Sequence, residues 1–121
     1  MQGSVVSEVI PPRKVVVVIP TFNEAGNIEA VIAGVIAALP DASILVVDDN
    51  SSDNTVEIAK KLGVQVIKHD TNKGYGANQK TCYNAALENG ADIIVMVHPD
   101  YQYEPKLVTA MAAMIESEVY D

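Results

Sequence analysis

Tryptophan is absent, cysteine occurs once (Cys82), and aromatic residues make up only 5% of the 121-residue chain. A single thiol excludes an intrachain disulfide framework and a cysteine-based zinc cluster. Cations are scarce as well: eight Lys and Arg stand against sixteen Asp and Glu, for a net charge of −8 and a pI near 4.5. Nonspecific nucleic-acid binding needs a basic track, so nucleic acid is not an expected partner. Long hydrophobic runs are missing too. Runs such as Val15 to Pro20, with Pro counted, reach only six residues, whereas a bilayer span takes about 20, so this segment is expected to hold no membrane span. Met1–Pro11 has no basic start and no sustained apolar core, which speaks against a signal peptide. What is present is an apolar fraction of 49%, ordinary for a globular protein and too high for a disordered acidic tail. A reduced, cytoplasmic location is the expectation.

Residues 1–13, with Gly3-Ser4 and Pro11-Pro12, read as an arm or linker, and residues 14–121 as one folded unit. Val15-Val16-Val17-Val18-Ile19, bounded by Pro20, has the β-branched composition of a strand buried on both faces. Ile28, Val31, Ile32, Val35, Ile36 and Leu39 follow at helical spacing until Pro40. Ile44–Val47 forms a second strand. A helix carrying Val56, Ile58, Ala59 and Leu62 comes next, with Asp53 or Asn54 as N-cap and Gly63 closing it. Val64–Ile67 is a third strand. A helix over about Ala77–Asn89 precedes Gly90, Ile93–Val97 is a fourth strand, and Pro105 opens a fourth helix. This alternation demands parallel strands with right-handed crossovers, hence an α/β fold with an open, mostly parallel, Rossmann-like sheet and helices on both faces.

In such sheets ligands sit at the carboxyl ends of the strands. The segments there are Pro20–Glu24, Asp48–Asp53, Asp70–Gly76 and His98–Gln102, all polar and rich in acids or amides. Glu24, Asp48, Asp49 and Asp100 share that rim, where mutual repulsion is relieved by a divalent metal or by hydrogen bonds to a ligand. Mg²⁺ or Mn²⁺ suits hard oxygen donors, with Asp100 best placed and Gln102 two residues on. Asp48 and Asp53 have ready loop roles, in Asx-turns and at the helix cap, whereas Asp49 gains nothing evident from folding and leans toward function. Neither GxGxxG nor GxxxxGK[ST] occurs. Gly74-Tyr75-Gly76 is a weak phosphate-loop signal, with Lys73 and Lys80 the nearby cations. Cys82 sits mid-helix as a small buried thiol. His69 and His98 lack zinc-ligand spacing, and His98 either lines the site or bonds to backbone.

Val17-Val18-Ile19-Pro20-Thr21-Phe22-Asn23-Glu24 and Val46-Val47-Asp48-Asp49-Asn50-Ser51-Ser52-Asp53-Asn54-Thr55 together resemble the opening of a family 2 glycosyltransferase with the GT-A fold. Asn72-Lys73-Gly74-Tyr75-Gly76 and Asp100-Tyr101-Gln102-Tyr103-Glu104-Pro105 extend the likeness, nearest to the dolichol-phosphate (polyprenyl-phosphate) mannose synthase-like branch. The resemblance implies an inverting transfer of a sugar from a nucleotide-diphosphate sugar (UDP- or GDP-linked) to an acceptor such as a polyprenyl (lipid) phosphate. It implies nucleotide contacts from Pro20, Phe22, Glu24 and Asp49, and Mg²⁺ or Mn²⁺ on Asp100 and Gln102. Lys73, Gly74 and His98 are its candidates for phosphate or acceptor contacts. The Asp-X-Asp metal motif of such enzymes reads His98-Pro99-Asp100 here, with only the second acid present. No catalytic base is evident. The length matches the donor-binding half of such a domain, expected to bind a nucleotide weakly and to transfer no sugar alone; the longer protein would work in the cytoplasm or at the cytoplasmic face of a membrane. Two other readings stay open: a noncatalytic nucleotide-binding module, and a phospho-receiver domain. The latter's acid pair should end the first strand rather than the second, and its lysine has no counterpart.

Overall fold

The computed structural model describes residues 13–99. Four strands, β1 (Val15–Thr21), β2 (Ser43–Asp48), β3 (Gln65–Lys68) and β4 (Ile93–Met96), alternate with three helices, α1 (Ile28–Ala38), α2 (Thr55–Lys61) and α3 (Tyr75–Glu88). The sheet is wholly parallel in the order β3-β2-β1-β4. Val17 of β1 pairs with Ile44 on one side and Val95 on the other. The α/β architecture read from the sequence is therefore the observed one. Asp100 and Gln102, the expected metal ligands, and the helix opened by Pro105 lie outside the described residues.

Alternation along the strands splits the core in two. Val17, Ile19, Val46, Ile93 and Val95 point to one face, where Ile28, Val31, Ile32 and Val35 of α1 and Ala59 of α2 cover them. That α1 spacing is the apolar stripe of an amphipathic helix. Val16, Val18, Leu45 and Val47 point to the other face, against Cys82, Ala85 and Ala86 of α3. Small residues let α3 approach the sheet closely. All strand residues from Val16 to Ile19 are fully buried, as a β-branched run covered on both faces should be.

β1 runs two residues further than its sequence suggests, straight through Pro20. Residues of a parallel strand direct their N–H and C=O groups to the same neighbour, alternating left and right. The Val97 N–H donates to the Val18 carbonyl at 3.0 Å, so Val18 and Pro20 both face the β4 side. β4 pairs no further than Val18, so the missing Pro20 N–H breaks no ladder bond. α3 likewise starts at Tyr75 rather than near Ala77. Gly74 turns the chain with φ +93°, and its carbonyl accepts the Asn78 N–H at 3.0 Å, so Gly76 lies inside the first helical turn. Gly63 and Gly90 follow α2 and α3 in left-handed conformations, the expected helix-terminating geometry.

The order reverses beside β1: α1 and α2 carry the chain to β2 and β3 along one face, and α3 returns it across the other to β4. The carboxyl ends of β1 and β4 are thus a topological switch point, where the loops diverge and leave a crevice.

Candidate functional site

The two consecutive acids at the end of β2 are driven to opposite duties. Asp48 is completely buried. It accepts the Thr21 hydroxyl at 2.7 Å, the Ser51 N–H at 2.7 Å and the Ser51 hydroxyl at 2.6 Å. It thereby staples the end of β1 to the loop after β2, the structural role its sequence allows. Asp49 faces the crevice but is only 3% exposed. Its Oδ1 meets His69 Nδ1 at 2.8 Å and accepts the Lys73 N–H at 2.8 Å, and its Oδ2 accepts the Gly74 N–H at 2.9 Å. Burial pushes its pKa up, but the hydrogen bonds from His69, Lys73 and Gly74, with the His69 charge, outweigh burial and leave it lowered, so Asp49 is a carboxylate at neutral pH. The expectation that Asp49 gains nothing from folding is overturned: it pins the 69–74 segment to the sheet.

The loops after β1 and β2 clasp one another. Asn23, at φ +55°, a left-handed conformation Asn tolerates, accepts the Ser52 N–H on Oδ1 at 2.9 Å, while its own N–H donates to Ser51 Oγ at 2.8 Å. The Glu24 N–H donates to Thr55 Oγ1 at 2.9 Å and the Ala25 N–H to Asp53 Oδ2 at 3.2 Å. Asn54 occupies the cap position of α2 without a side-chain bond. Asp53, one residue earlier, accepts the Thr55 N–H at 3.1 Å and also its hydroxyl. Burial pushes the Asp53 pKa up, yet the Thr55 and Ala25 donors leave it lowered. Asp53 therefore ties the first residue of α2 to the loop after β1, and the loops hold Phe22 and Glu24 at the crevice.

The crevice has a volume of about 610 Å³. Pro20, Thr21, Phe22 and Glu24 from β1 and its loop, His98 and Pro99 after β4, and Gly74 and Tyr75 at the start of α3 line it, with Asp49, Asn72 and Asn78 completing the lining. Phe22 is 48% and Tyr75 59% exposed, so two aromatic rings border a polar cleft, an arrangement suited to stacking a planar ligand. Tyr75 Oη accepts from Gln79 Nε2 at 2.9 Å and lies 3.2 Å from His98 Nδ1. Asn78 is buried and donates to the Val47 carbonyl at 3.1 Å, bracing β2 beneath the cleft.

Of the residues expected from sequence, Pro20, Phe22, Glu24, Asp49, Gly74 and His98 meet in this one cleft. Lys73 contributes its N–H to Asp49 while its side chain is exposed and outside the lining. Asn72 and Tyr75 fall within the Asp70–Gly76 segment expected at the rim, whereas His69 and Asn78 fall outside every expected segment. Asn78 carried a signal: it falls on the Cys82, Ala85, Ala86 face of α3, and a polar residue on an apolar stripe must bond to something. His69 and Asn72 reach Asp49 from 20 and 23 positions away, and no local pattern announces that.

Among the described residues no group of three His, Cys, Asp or Glu side chains is placed to hold an ion. No helix among them is long and apolar enough to cross a membrane.

Comparison with known proteins gives the chain's family and fold relations. The chain is 34% identical over 110 residues to a UDP-N-acetylglucosamine–dolichyl-phosphate N-acetylglucosaminyltransferase of Methanococcus voltae, covering 77% of this chain and 43% of the relative. It is 32% identical over 110 residues to a dolichol-phosphate mannosyltransferase of Pyrococcus furiosus, covering 86% and 30%. The chain spans about half, or less, of the length of the curated relatives it matches. In fold it is similar to S. aureus TarS 1–349 in complex with UDP, with a TM-score of 0.70 at 22% identity, over 86% of this chain and 32% of that one. The family model described as glycosyl transferase family 2 matches residues 16–121, and with the parallel GT-A sheet beneath the cleft, the chain belongs to glycosyltransferase family 2.

Proposed function

We propose that this chain is the donor-binding part of an inverting glycosyltransferase that moves a hexosyl group from a UDP- or GDP-sugar to a polyprenyl phosphate. The observation that carries this reading is the single cleft in which the Asp49 carboxylate, the Phe22 ring and the Glu24 side chain converge at the switch point of the sheet. The ring of Phe22 and the edge of Pro20 offer a surface for a base, Asp49 an acceptor for its N–H, and Glu24 an acceptor for ribose hydroxyls. The diphosphate is assigned to the Lys73–Gly74 turn and His98 side. The names of the Methanococcus and Pyrococcus relatives support a lipid-phosphate acceptor, which would place the longer protein at the cytoplasmic face of a membrane.

In the proposed reaction an acceptor phosphate oxygen bonds to the anomeric carbon as the carbon–oxygen bond to the nucleoside diphosphate breaks, its electron pair leaving on the β-phosphate. A phosphate acceptor is already anionic, so no general base is needed at its oxygen. The clamped loops contribute orientation: they fix the donor so that the nucleophile meets one face of the anomeric carbon. Asp100 and Gln102 are the proposed ligands of Mg²⁺ or Mn²⁺, which when bound would neutralise charge on the departing diphosphate.

Calorimetry with UDP, GDP and their sugars, with and without Mn²⁺, tests the reading. Binding of one of them that strengthens with Mn²⁺ and loses that gain in Asp100→Ala is expected. Metal-independent binding would instead favour a noncatalytic nucleotide module, and no binding to any of them would sink the proposal.

A further inference from the structure

We propose that His69 is a positioning residue for base selectivity, acting through Asp49; the inference rests on the nucleotide reading of the cleft. His69 is 7% exposed and is gripped at both ring nitrogens. Nδ1 lies 2.8 Å from Asp49 Oδ1, and Nε2 lies 2.9 Å from Thr81 Oγ1 on α3. Its backbone N–H donates to the Asp48 carbonyl at 2.8 Å. The imidazole therefore spans the end of β2 and the middle of α3 and cannot turn without breaking a buried bond to Asp49 and a part-buried one to Thr81.

Counting donors shows what this grip accomplishes. A carboxylate offers about four lone-pair sites. In Asp49, His69 and the Lys73 N–H take both of those on Oδ1, and the Gly74 N–H takes one on Oδ2. One acceptor site remains, on Oδ2, and Asp49 lines the cleft. A single fixed acceptor distinguishes a base whose ring nitrogen carries hydrogen (uracil, guanine) from its amino counterpart (cytosine, adenine), whose corresponding nitrogen presents a lone pair. Without the Nδ1–H, Oδ1 regains a free lone pair and the carboxylate can rotate about its last bond, so the acceptor direction is no longer unique. Thr81 adds a second restraint. Its hydroxyl also lies 3.1 Å from the Ala77 carbonyl, so it has an acceptor whenever Nε2 carries a proton and becomes the donor to Nε2 when it does not. The ring is satisfied in either case.

Two amides of similar character separate positioning from mere support. His69→Asn places its amide nitrogen where Nδ1 lies and keeps the donor to Asp49; His69→Gln reaches toward Thr81 and loses it. The measurement is the affinity of the purified full chain for UDP, CDP, GDP and ADP, with melting temperatures as a fold control. The wild type is expected to prefer UDP over CDP, or GDP over ADP, by tenfold or more. His69→Asn should keep that preference, His69→Gln should lose about tenfold of it, as for one buried hydrogen bond to a charged group, and Thr81→Val should lose a few-fold. Equal preference in the Asn and Gln variants, at whatever level, overturns the inference while leaving the nucleotide reading intact, and an unchanged preference in Thr81→Val counts against the two-ended grip. A wild type that binds none of the four nucleotides overturns the nucleotide reading and this inference with it.

Discussion

Thr21 Oγ1 donates to Asp48 Oδ1 at 2.7 Å inside the sheet, with both residues almost wholly buried. Through this bond and the two from Ser51, Asp48 accepts three polar hydrogens at the floor of the cleft. Asp48→Ala would orphan them together, at about 1–3 kcal/mol for each buried group left unsatisfied. The expected outcome is a loss of roughly 3 kcal/mol or more, read as a lower urea midpoint. Thr21→Val, which removes a single donor and leaves the carboxylate two others, should cost less than half as much.

Acid should destabilise the fold through two carboxylates. The pKa values of Asp49 and Asp53 are both lowered from 3.8, their donor bonds outweighing burial. A group whose folded pKa lies below its unfolded value adds stability that is complete above the unfolded value and disappears as pH falls through the folded one. Melting temperature should therefore be flat in this respect above about pH 5 and fall progressively below about pH 4. The Asp49→Asn, Asp53→Asn double variant should start lower at neutral pH and lose less on acidification. An acid limb as steep as the wild type's would show that other groups drive it.

Much of this molecule was legible because its signals are local. The Val15–Ile19 run, the Ile28/Val31/Ile32/Val35 stripe and the glycines after α2 and α3 each announce their element within a few residues, and the parallel order follows from the alternation. Pro20 misleads because its tolerance depends on where a strand 76 residues away stops, at Met96. Asp49 looked dispensable for folding because its partners, His69, Lys73 and Gly74, lie 20 to 25 positions downstream. Cys82 was readable as a buried thiol, and burial indeed pushes its pKa up to about 12, which makes it a poor nucleophile at neutral pH.

Phe22 and Tyr75 should separate binding from stability. Both rings are about half exposed or more, so trimming either to alanine removes little core, and a stability change within about 0.5 kcal/mol is expected. If one of them carries base stacking, its loss should weaken nucleotide binding by about 1–3 kcal/mol. Phe22 is the residue assigned that task, so Phe22→Ala should weaken UDP or GDP binding more than Tyr75→Ala does, by calorimetry. The reverse order would move the base to the Tyr75 side of the cleft.

Gly74 and Gly34 offer a matched pair in which the same substitution should act with opposite sign. Neither position has any heavy atom within 4 Å of an added Cβ, so crowding is irrelevant at both. Gly34 lies inside α1 with no positive φ, and Gly34→Ala should stabilise by about 0.5–1 kcal/mol through reduced freedom of the unfolded chain and better helix propensity. Gly74 holds φ +93° with ψ 165°, a region open essentially to glycine alone. Gly74→Ala should cost about 1–3 kcal/mol if the conformation is kept. If the turn relaxes instead, the Gly74 N–H swings away from Asp49 Oδ2, the stability loss shrinks, and nucleotide binding falls in its place. Thermal melts and calorimetry on the two variants distinguish these routes. A Gly74→Ala protein unchanged in both would mean that this turn neither needs glycine nor serves the carboxylate.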